Sequence, residues 1–217
     1  MTIGDILHER NIRYLCHFTR LENLESILKH GLYPRTQIFN QDLNPDVRSN
    51  IQGIFNDTVR ADNKMNAICL SISFPNSKMF YKLRCEQGDT QWAVIVLNAQ
   101  VLLDKDCAFY PTNAANNCVR HLPIENFQGD NALNALFNEA DEERQPLLPK
   151  DPTDVQAEVL VFEQIEPSYI VGCVFNSDDL RDKYSNKFSN YQFESTWRKW
   201  GVFDDRFQAR KHGFKGH

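Results

Sequence analysis

A glutamate at the entrance to an apolar run is the first residue of this sequence that could carry chemistry. Glu158 directly precedes residues 159–162 (VLVF), a β-branched and aromatic run that lacks a helical period and predicts a short buried strand. A carboxylate at such a junction is held firmly and must be solvated or paired, because a desolvated charge is costly. Two interpretations stay open: a carboxylate that faces a functional cleft, and a strand-edge glutamate in water.

Three consecutive residues offer ligand contacts where a predicted strand meets a predicted helix. His17, Phe18 and Thr19 bring an imidazole, a hydroxyl and the backbone N–H groups of a helix N-terminus to one place. That combination suits a phosphate, a ribose or an amide ligand. Thr19 is also a predicted N-cap, with Glu22 three residues further on completing a capping box. The alternative is therefore structural, with Thr19 only a cap and His17 a satisfied core residue.

Further candidates lie at the end of a long polar loop and on the strand that follows it. Arg60, if aimed into a cleft, would clamp a pyrophosphate or a carboxylate, although most loop arginines are solvated. Period-2 spacing places Ser71 and Ser73 on one face of the next strand. Two hydroxyls beside the rings of Phe80 and Tyr81 could hold a flat ring such as nicotinamide. A half-buried edge strand is the alternative.

The elements that must position these side chains belong to a mixed α+β fold. The periodicity predicts helix 3–10, strand 14–18, helix 22–30 ended by Gly31, strand 67–74, strand 92–97, helix 130–143, strand 159–162 and strand 168–175. Two long irregular stretches, residues 33–66 and 104–157, border the central strands. Loops of that length are usually functional.

Length and composition bound the class of protein. The 217 residues fit one ordinary domain, and 41% hydrophobic with 12% aromatic residues indicate a globular chain. No apolar run approaches the roughly 20 residues that a membrane span needs, and the N-terminus lacks a secretory signal pattern. Six cysteines without a CxxC pair predict reduced cytosolic thiols. We therefore expect a cytoplasmic protein.

Several common catalytic motifs are missing from the sequence. There is no glycine-rich phosphate loop, GxGxxG, HExxH, GxSxG or paired zinc motif. Their absence argues against a P-loop ATPase, a Rossmann dehydrogenase and a zincin protease, and no metal site is predicted.

The charge is unevenly distributed along the chain. Residues 181–217 hold nine Lys and Arg against four Asp and Glu, whereas the whole chain has a net charge of −5. Trp197, Trp200, Phe203, Phe207 and Phe214 lie among the charges of this basic segment. It could contact phosphates and stack on bases, or it could form an amphipathic terminal helix whose rings pack inward. The acidic remainder indicates that any nucleic-acid contact is local.

Taken in order along the chain, these motifs resemble the DarT family. The likeness runs from about residue 12 to 175 and rests on His17-Phe18-Thr19, Asn23-Leu24, Ile27-Leu28, Gly31-Leu32, Arg60, Ser71-Ile72-Ser73-Phe74-Pro75-Asn76 and Gln156-Ala157-Glu158-Val159-Leu160-Val161. DarT proteins are the toxin halves of bacterial DarT–DarG toxin–antitoxin pairs, and they ADP-ribosylate DNA. The resemblance implies an ADP-ribosyltransferase fold with a split mixed β-sheet core and flanking helices, formed by residues 1–217 as a single domain.

The resemblance also implies roles around NAD⁺. Glu158 would be the catalytic glutamate and Arg60 the catalytic arginine, with Arg48 as the alternative for the second role. Residues 39–62 would form the NAD-binding loop. The remaining NAD contacts would come from His17, Phe18, Thr19, Ser26, Leu32, Ser71, Ser73 and Tyr81.

By the same resemblance, residues 112–157 would recognise the DNA, with contacts from Thr112, Asn113, Asn116, Arg120 and His121. Breaking the nicotinamide–ribose bond builds positive charge on the ribose, which a carboxylate at Glu158 would stabilise. The acceptor would be a base, typically thymidine. The DNA would be single-stranded, because a base must be unstacked to be attacked. NAD⁺ is consumed as substrate, no metal is needed, and a macrodomain antitoxin (DarG-like) would remove the modification. Guanine, RNA or protein as acceptor, and a non-catalytic nucleic-acid-binding module, are the alternatives.

Overall fold

The computed structural model describes residues 1–38, 66–88, 90–138, 144 and 146–216. Within them the elements are α1 (Ile3–Glu9), β1 (Tyr14–Arg20), α2 (Leu21–His30), α3 (Arg35–Ile38), β2 (Ile68–Ile72), α4 (Ser77–Glu86), β3 (Trp92–Asn98), α5 (Val101–Asp104), β4 (Cys107–Tyr110), α6 (Gly129–Asn134), β5 (Glu158–Val161), β6 (Ile170–Phe175), α7 (Asp178–Lys187), β7 (Gln192–Ser195) and α8 (Arg206–Lys211). Short 3-10 helices occupy Ile124–Phe127 and Pro167–Tyr169.

The described strands form one mixed sheet in the order β4-β5-β2-β1-β3-β6-β7. Neighbours are antiparallel except β6 and β7, which are parallel and are connected through α7. Gly172 permits this last pairing, because a Cβ there would lie 1.8 Å from the carbonyl oxygen of Gln192. The expected α+β class with a mixed sheet and flanking helices is confirmed.

The sheet is split between β1 and β2. β1 pairs with β3 along its whole length, yet it pairs with β2 only at Leu15↔Ile72 and Cys16↔Ser71. Beyond those pairs β2 continues alongside β5. The side chain of His17 crosses the divergence, since its Nδ1 lies 2.9 Å from the carbonyl oxygen of Cys69. The split therefore opens next to the predicted ligand-binding residues.

Alternating side chains give the sheet two packed faces. On one face, Leu15, Ile95 and Leu97 belong to the largest core cluster, which also takes in apolar residues of α1, α2, α5, α6 and α7. On the other face, Val94 and Val96 pack with α4 and with the C-terminal segment. A third cluster lies beside β4 and β5 under the loop that follows β4.

The start of α2 differs from the sequence prediction. Its N-cap is Arg20, which makes no side-chain capping hydrogen bond. The Oγ1 of Thr19 instead accepts a hydrogen bond from the side chain of Asn23 at 3.2 Å, so the predicted capping box is wrong. The predicted end of the helix is confirmed: Gly31 has a φ of 87°, and a Cβ there would lie 2.2 Å from the carbonyl oxygen of Ile165.

Two other elements are shorter than the periodicity predicts. The strand expected over residues 67–74 ends at Ile72, because Ser73 is left-handed with a φ of 62°. The helix expected over residues 130–143 ends at Asn134, and residues 139–143 lie outside the described residues. Among the described helices, none has the length and apolar character that crossing a bilayer requires.

Candidate active site

Glu158 is the first residue of β5 and pairs with Tyr110 of β4. Its Oε1 accepts a hydrogen bond from Nδ2 of Asn113 at 2.9 Å, and its Oε2 accepts one from the backbone N–H of Ala114 at 3.1 Å. Glu158 is partly exposed, whereas the three residues that follow it are buried. Uncharged donors on each oxygen thus fix the orientation of a carboxylate that solvent can reach.

The turn after β4 supplies both of these donors and is itself anchored. The Oδ1 of Asn113 accepts from the backbone N–H of Ala115 at 2.9 Å. Ala114 is fully buried in the cluster where the ring of Tyr110 stacks on Phe127 with centroids 4.0 Å apart. The amide of Asn113 therefore points its nitrogen at Glu158. Its predicted contact with nucleic acid stays a prediction, to which the structure adds this contact with the carboxylate.

The other predicted DNA contacts follow on the same loop. Thr112 is half-buried, while Asn116, Arg120 and His121 are exposed. The Oδ1 of Asn116 accepts from the backbone N–H of Cys118, and Nε of Arg120 donates to Nε2 of His121 at 2.8 Å. Asn116, Arg120 and His121 are therefore in solvent, a few residues along the chain from the turn that holds the carboxylate of Glu158.

His17 lies where β1 and β2 separate. Its Nδ1 donates to the carbonyl oxygen of Cys69 at 2.9 Å. Burial lowers the pKa of His17 and the bond to that carbonyl raises it, with a net result below the ordinary value of 6.5. A neutral imidazole with its proton on Nδ1 leaves Nε2 as an acceptor.

The two residues after His17 have structural contacts. Phe18 stacks on Phe80 with centroids 4.8 Å apart, within an aromatic cluster that includes Trp92. Thr19 is buried and bonded to Asn23. These contacts fix β1 and so place the imidazole at the split. The contact of Phe18 and Thr19 with NAD⁺ stays a prediction.

The two serines predicted to share one strand face are separated. Leu70 pairs with Val159, so the antiparallel register places Ser71 opposite Glu158. Ser73 lies beyond the end of β2, and its hydroxyl donates to Oδ1 of Asp151 at 2.5 Å. The expectation of a paired hydroxyl face is wrong, because the left-handed residue ends the strand before the second serine.

The remaining NAD candidates have varied surroundings. Tyr81 is 64% exposed on α4. Leu32 is buried, and its backbone exchanges both hydrogen bonds with Ile165. The Oγ of Ser26 is buried and has no hydrogen-bond partner in the part of the chain that the structure describes. An orphaned buried hydroxyl is costly unless a ligand or water satisfies it. Arg60, Arg48 and the predicted NAD-binding loop 39–62 lie outside the described residues.

A buried ion pair near the site was missed by the sequence reasoning. Nε and Nη2 of Arg210 donate to the two carboxylate oxygens of Asp151 at 2.8 and 2.7 Å, and Leu148 adds a backbone N–H. Both side chains are almost fully buried. Burial raises the pKa of Asp151, but the hydrogen bonds and charge of Arg210 outweigh it, and the pKa lies below its usual range.

A second arginine of α8 reinforces that attachment. Nη1 and Nη2 of Arg206 donate to the carbonyl oxygens of Pro152 and Thr153 at 2.8 and 3.0 Å. Burial lowers the pKa of Arg206 to about 10. The C-terminal helix thus fastens the segment that leads into β5. Arg206 and Arg210 lie about one helical turn apart among apolar residues. That spacing could have indicated buried arginines, but it also fits two solvated charges.

The sheet order, the split and the carboxylate that opens β5 define an ADP-ribosyltransferase fold. A family model described as "ssDNA thymidine ADP-ribosyltransferase, DarT" matches residues 16–200. The chain belongs to the DarT family. The description of the family names its reaction, the transfer of ADP-ribose to thymidine in single-stranded DNA.

Two solved structures have a similar fold. Thermosipho africanus DarTG in complex with ADP-ribose is 17% identical with a TM-score of 0.59, covering 88% of this chain and 51% of that one. Thermus sp. 2.9 DarT in complex with ADP-ribosylated ssDNA is 15% identical with a TM-score of 0.51, covering 85% and 94%. The chain thus spans about half of the DarTG protein. A comparison with curated proteins finds no match.

Proposed function

We propose that this chain transfers ADP-ribose from NAD⁺ to a thymidine base of single-stranded DNA and that Glu158 is its catalytic carboxylate. The observation that carries the proposal is the geometry of Glu158, which is oriented by Asn113 and Ala114 beside the split in the sheet. A structural glutamate on a strand edge would need no such pair of donors on its two oxygens.

The chemistry requires a negative group near the reacting sugar. Departure of nicotinamide leaves positive charge on the ribose, as in glycoside cleavage. A pre-oriented carboxylate stabilises that charge without reorganising during the reaction. The hydrogen bonds from Asn113 and Ala114 hold Glu158 in one orientation, and in that orientation its carboxylate would accept a hydrogen bond from a ribose hydroxyl.

We assign the NAD⁺ side of the site to residues at the split. The neutral imidazole of His17 presents Nε2 as an acceptor for a ribose hydroxyl, and Ser71 lies opposite Glu158. The buried hydroxyl of Ser26 would gain a partner from the dinucleotide. Support comes from the Thermosipho relative, whose structure holds ADP-ribose. Because NAD⁺ is itself the donor, the reaction needs no metal ion.

We assign the DNA side to the loop that follows β4. The exposed Arg120 and His121 can contact a phosphate, and Asn116 lies beside them. Thr112 is the residue of this group closest in sequence to the turn that holds Glu158. The Thermus relative was captured with ADP-ribosylated ssDNA, which fits this division of the site. By family resemblance the catalytic arginine would be Arg60, with Arg48 as the alternative.

We further propose that the chain is the toxin of a toxin–antitoxin or phage-defence pair in the cytoplasm. Its partner would be a macrodomain antitoxin that removes the modification. The support is family membership together with the Thermosipho relative, a DarTG protein of which this chain spans about half.

The test is transfer to defined oligonucleotides. Purified protein with NAD⁺ should add one ADP-ribose mass to mixed single-stranded DNA, and digestion to nucleosides should place it on thymidine. RNA of the same sequence and a protein acceptor are tested in parallel reactions. Glu158→Gln should stop transfer, whereas Glu163→Gln just beyond β5 serves as the matched control. A folded protein that modifies no nucleic acid would overturn the proposal, and modified guanine would overturn the choice of base.

A further inference from the structure

Three large rings stand in solvent near the C-terminus. Trp197, Trp200 and Phe207 are 46%, 45% and 42% exposed. Most aromatic side chains of the described residues are buried or half-buried, so three exposed rings in one short stretch of sequence are unusual. We call these three residues the aromatic patch.

Positive charge accompanies the aromatic patch. The guanidinium of Arg198 lies 5.7 Å from the ring centroid of Trp197. Lys199 and Lys211 are exposed, and the ring of His212 stacks on Trp200 with centroids 4.3 Å apart. Flat rings interleaved with cations are the features that bind bases and phosphates of single-stranded nucleic acid. Glu194 and Asp205 are also exposed in this stretch, so the cations that can meet a phosphate beside the rings are Arg198, Lys199 and Lys211.

The same segment is packed on its other side. Phe203 and Ala209 are buried in the cluster beneath the sheet, and Phe214 packs against it. The buried guanidinium of Arg210 anchors α8 to Asp151. The inward-packing interpretation of the basic tail therefore holds for these residues, and contact of the exposed rings with nucleic acid stays a prediction. Rings on a firmly packed segment form a pre-organised platform, which lowers the entropy cost of binding.

Phe207, one of the three patch residues, lies within reach of the active site. Phe207 follows Arg206, which is bonded to the carbonyl oxygen of Thr153 at 3.0 Å. The five residues from Thr153 to Glu158 span at most about 18 Å. A strand of several nucleotides can therefore extend from the reacting base to the patch. The family model ends at residue 200, so α8 lies outside the region that it matches.

We propose that the aromatic patch binds single-stranded DNA flanking the modified nucleotide. Bases stack on Trp197, Trp200 and Phe207, while the adjacent cations contact phosphates. The identity of the ligand rests on the proposed function, in which this strand is the acceptor. The site adds affinity for longer substrates without taking part in the chemical step.

The test compares oligonucleotide lengths without NAD⁺. Fluorescence anisotropy measures the Kd of labelled dT oligomers of about 6 and 20 nucleotides, a range that brackets known site sizes. Trp197→Ala with Phe207→Ala should weaken binding of the longer oligomer at least tenfold, as expected from base–ring stacking, and leave the shorter one unchanged. Lys199→Glu with Lys211→Glu should reduce the salt slope for the longer oligomer by about 1.4. Leu103→Ala and Lys183→Glu, exposed sites on the opposite face, are the controls.

Each result bears on the proposal. If the patch variants bind the longer oligomer as tightly as the wild type, or lose only binding to a macrodomain antitoxin, the proposal is wrong. Phe207→Ala alone, which has no partner ring among the described contacts, should show part of the loss if the double variant is unstable. If the wild type binds the longer oligomer through the patch but transfers no ADP-ribose, the proposed function fails and the patch stands. With transfer intact, the variants should raise KM for the longer substrate and leave kcat unchanged.

Discussion

Two carboxylates seven positions apart have opposite surroundings. Asp151 is fully buried and receives both arms of a guanidinium, a serine hydroxyl and a backbone N–H. Glu158 is partly exposed, and its donors Asn113 and Ala114 are uncharged. Burial of a paired charge stabilises a structure only when every partner is present.

Asp151 and Glu158 lie on one short segment, but their contacts indicate different roles. Asp151 bonds to Arg210 of α8 and to Ser73 just beyond β2, and Arg206 bonds to the carbonyl oxygen of Pro152. Residues 151–153 are therefore held in place where the chain approaches β5. Glu158 then projects from a strand whose position is already set. We infer that Asp151 acts on stability and that Glu158 acts on rate.

The largest expected effect is on the rate at Glu158. Glu158→Gln keeps the shape but removes the negative charge to which the proposed function gives the catalytic role, so kcat for DNA modification should fall by about 10³-fold or more. The melting temperature should stay close to that of the wild type. Gel shift of modified oligonucleotides and thermal unfolding measure the two quantities. A large loss of stability with the rate preserved would reverse the roles given to the two carboxylates.

The next effect is on stability at Asp151. Asp151→Ala leaves the guanidinium of Arg210 buried without its partner, so the free energy of unfolding should fall by about 3–5 kcal/mol. Glu86→Ala, which breaks an exposed pair with Lys82 on α4, should cost at most about 0.5 kcal/mol. Denaturant unfolding measures both. A loss at Asp151 no larger than that of the surface control would show that the buried pair does not hold the loop.

Local pattern was enough to predict the parts of the fold that depend on neighbouring residues. The buried strand over residues 92–97, the glycine stop at Gly31 and the position of Glu158 at a strand entrance all follow from period and turn chemistry. The mixed α+β class follows from the same signals. The family resemblance, which rests on the order of several motifs, is likewise confirmed.

The rest depends on contacts between distant positions. Asp151 meets Arg210 across 59 positions and Ser73 across 78, while Asn113 meets Glu158 across 45. No local period encodes such pairs, so the left-handed end of β2 and the attachment of α8 were missed. Composition does not show which charges of the basic tail are buried. The buried Arg206 and Arg210 therefore could not be distinguished from the exposed cations.

A smaller effect tests how the neutral donors serve Glu158. Asn113→Asp places a second carboxylate where Nδ2 now donates to Oε1 at 2.9 Å. Repulsion between two carboxylates at that distance raises the pKa of one of them, so the acid limb of the kcat profile should move up by about 1–2 pH units, with activity partly recovered in alkali. Asn113→Ala removes the donor without adding charge and should lower kcat about tenfold with an unmoved limb. Equal profiles for the two variants would mean that Asn113 only shapes the turn.

The smallest effect concerns His17, the ionisable group at the split itself. Burial lowers the pKa of His17 below 6.5, so between that value and its lower folded value the unfolded chain binds a proton that the folded one does not. The free energy of unfolding should therefore fall as the pH drops below about 6.5, by at most about 1.4 kcal/mol per pH unit, with no contribution above it. His17→Asn keeps a side-chain N–H for the carbonyl of Cys69 and removes the titration, so its stability curve should be flatter in acid. His121→Asn, at an exposed position, should follow the wild type. Parallel curves for all three proteins would show that water reaches His17 freely, and the split would then lack the low-dielectric surroundings in which a fixed carboxylate stabilises charge most strongly.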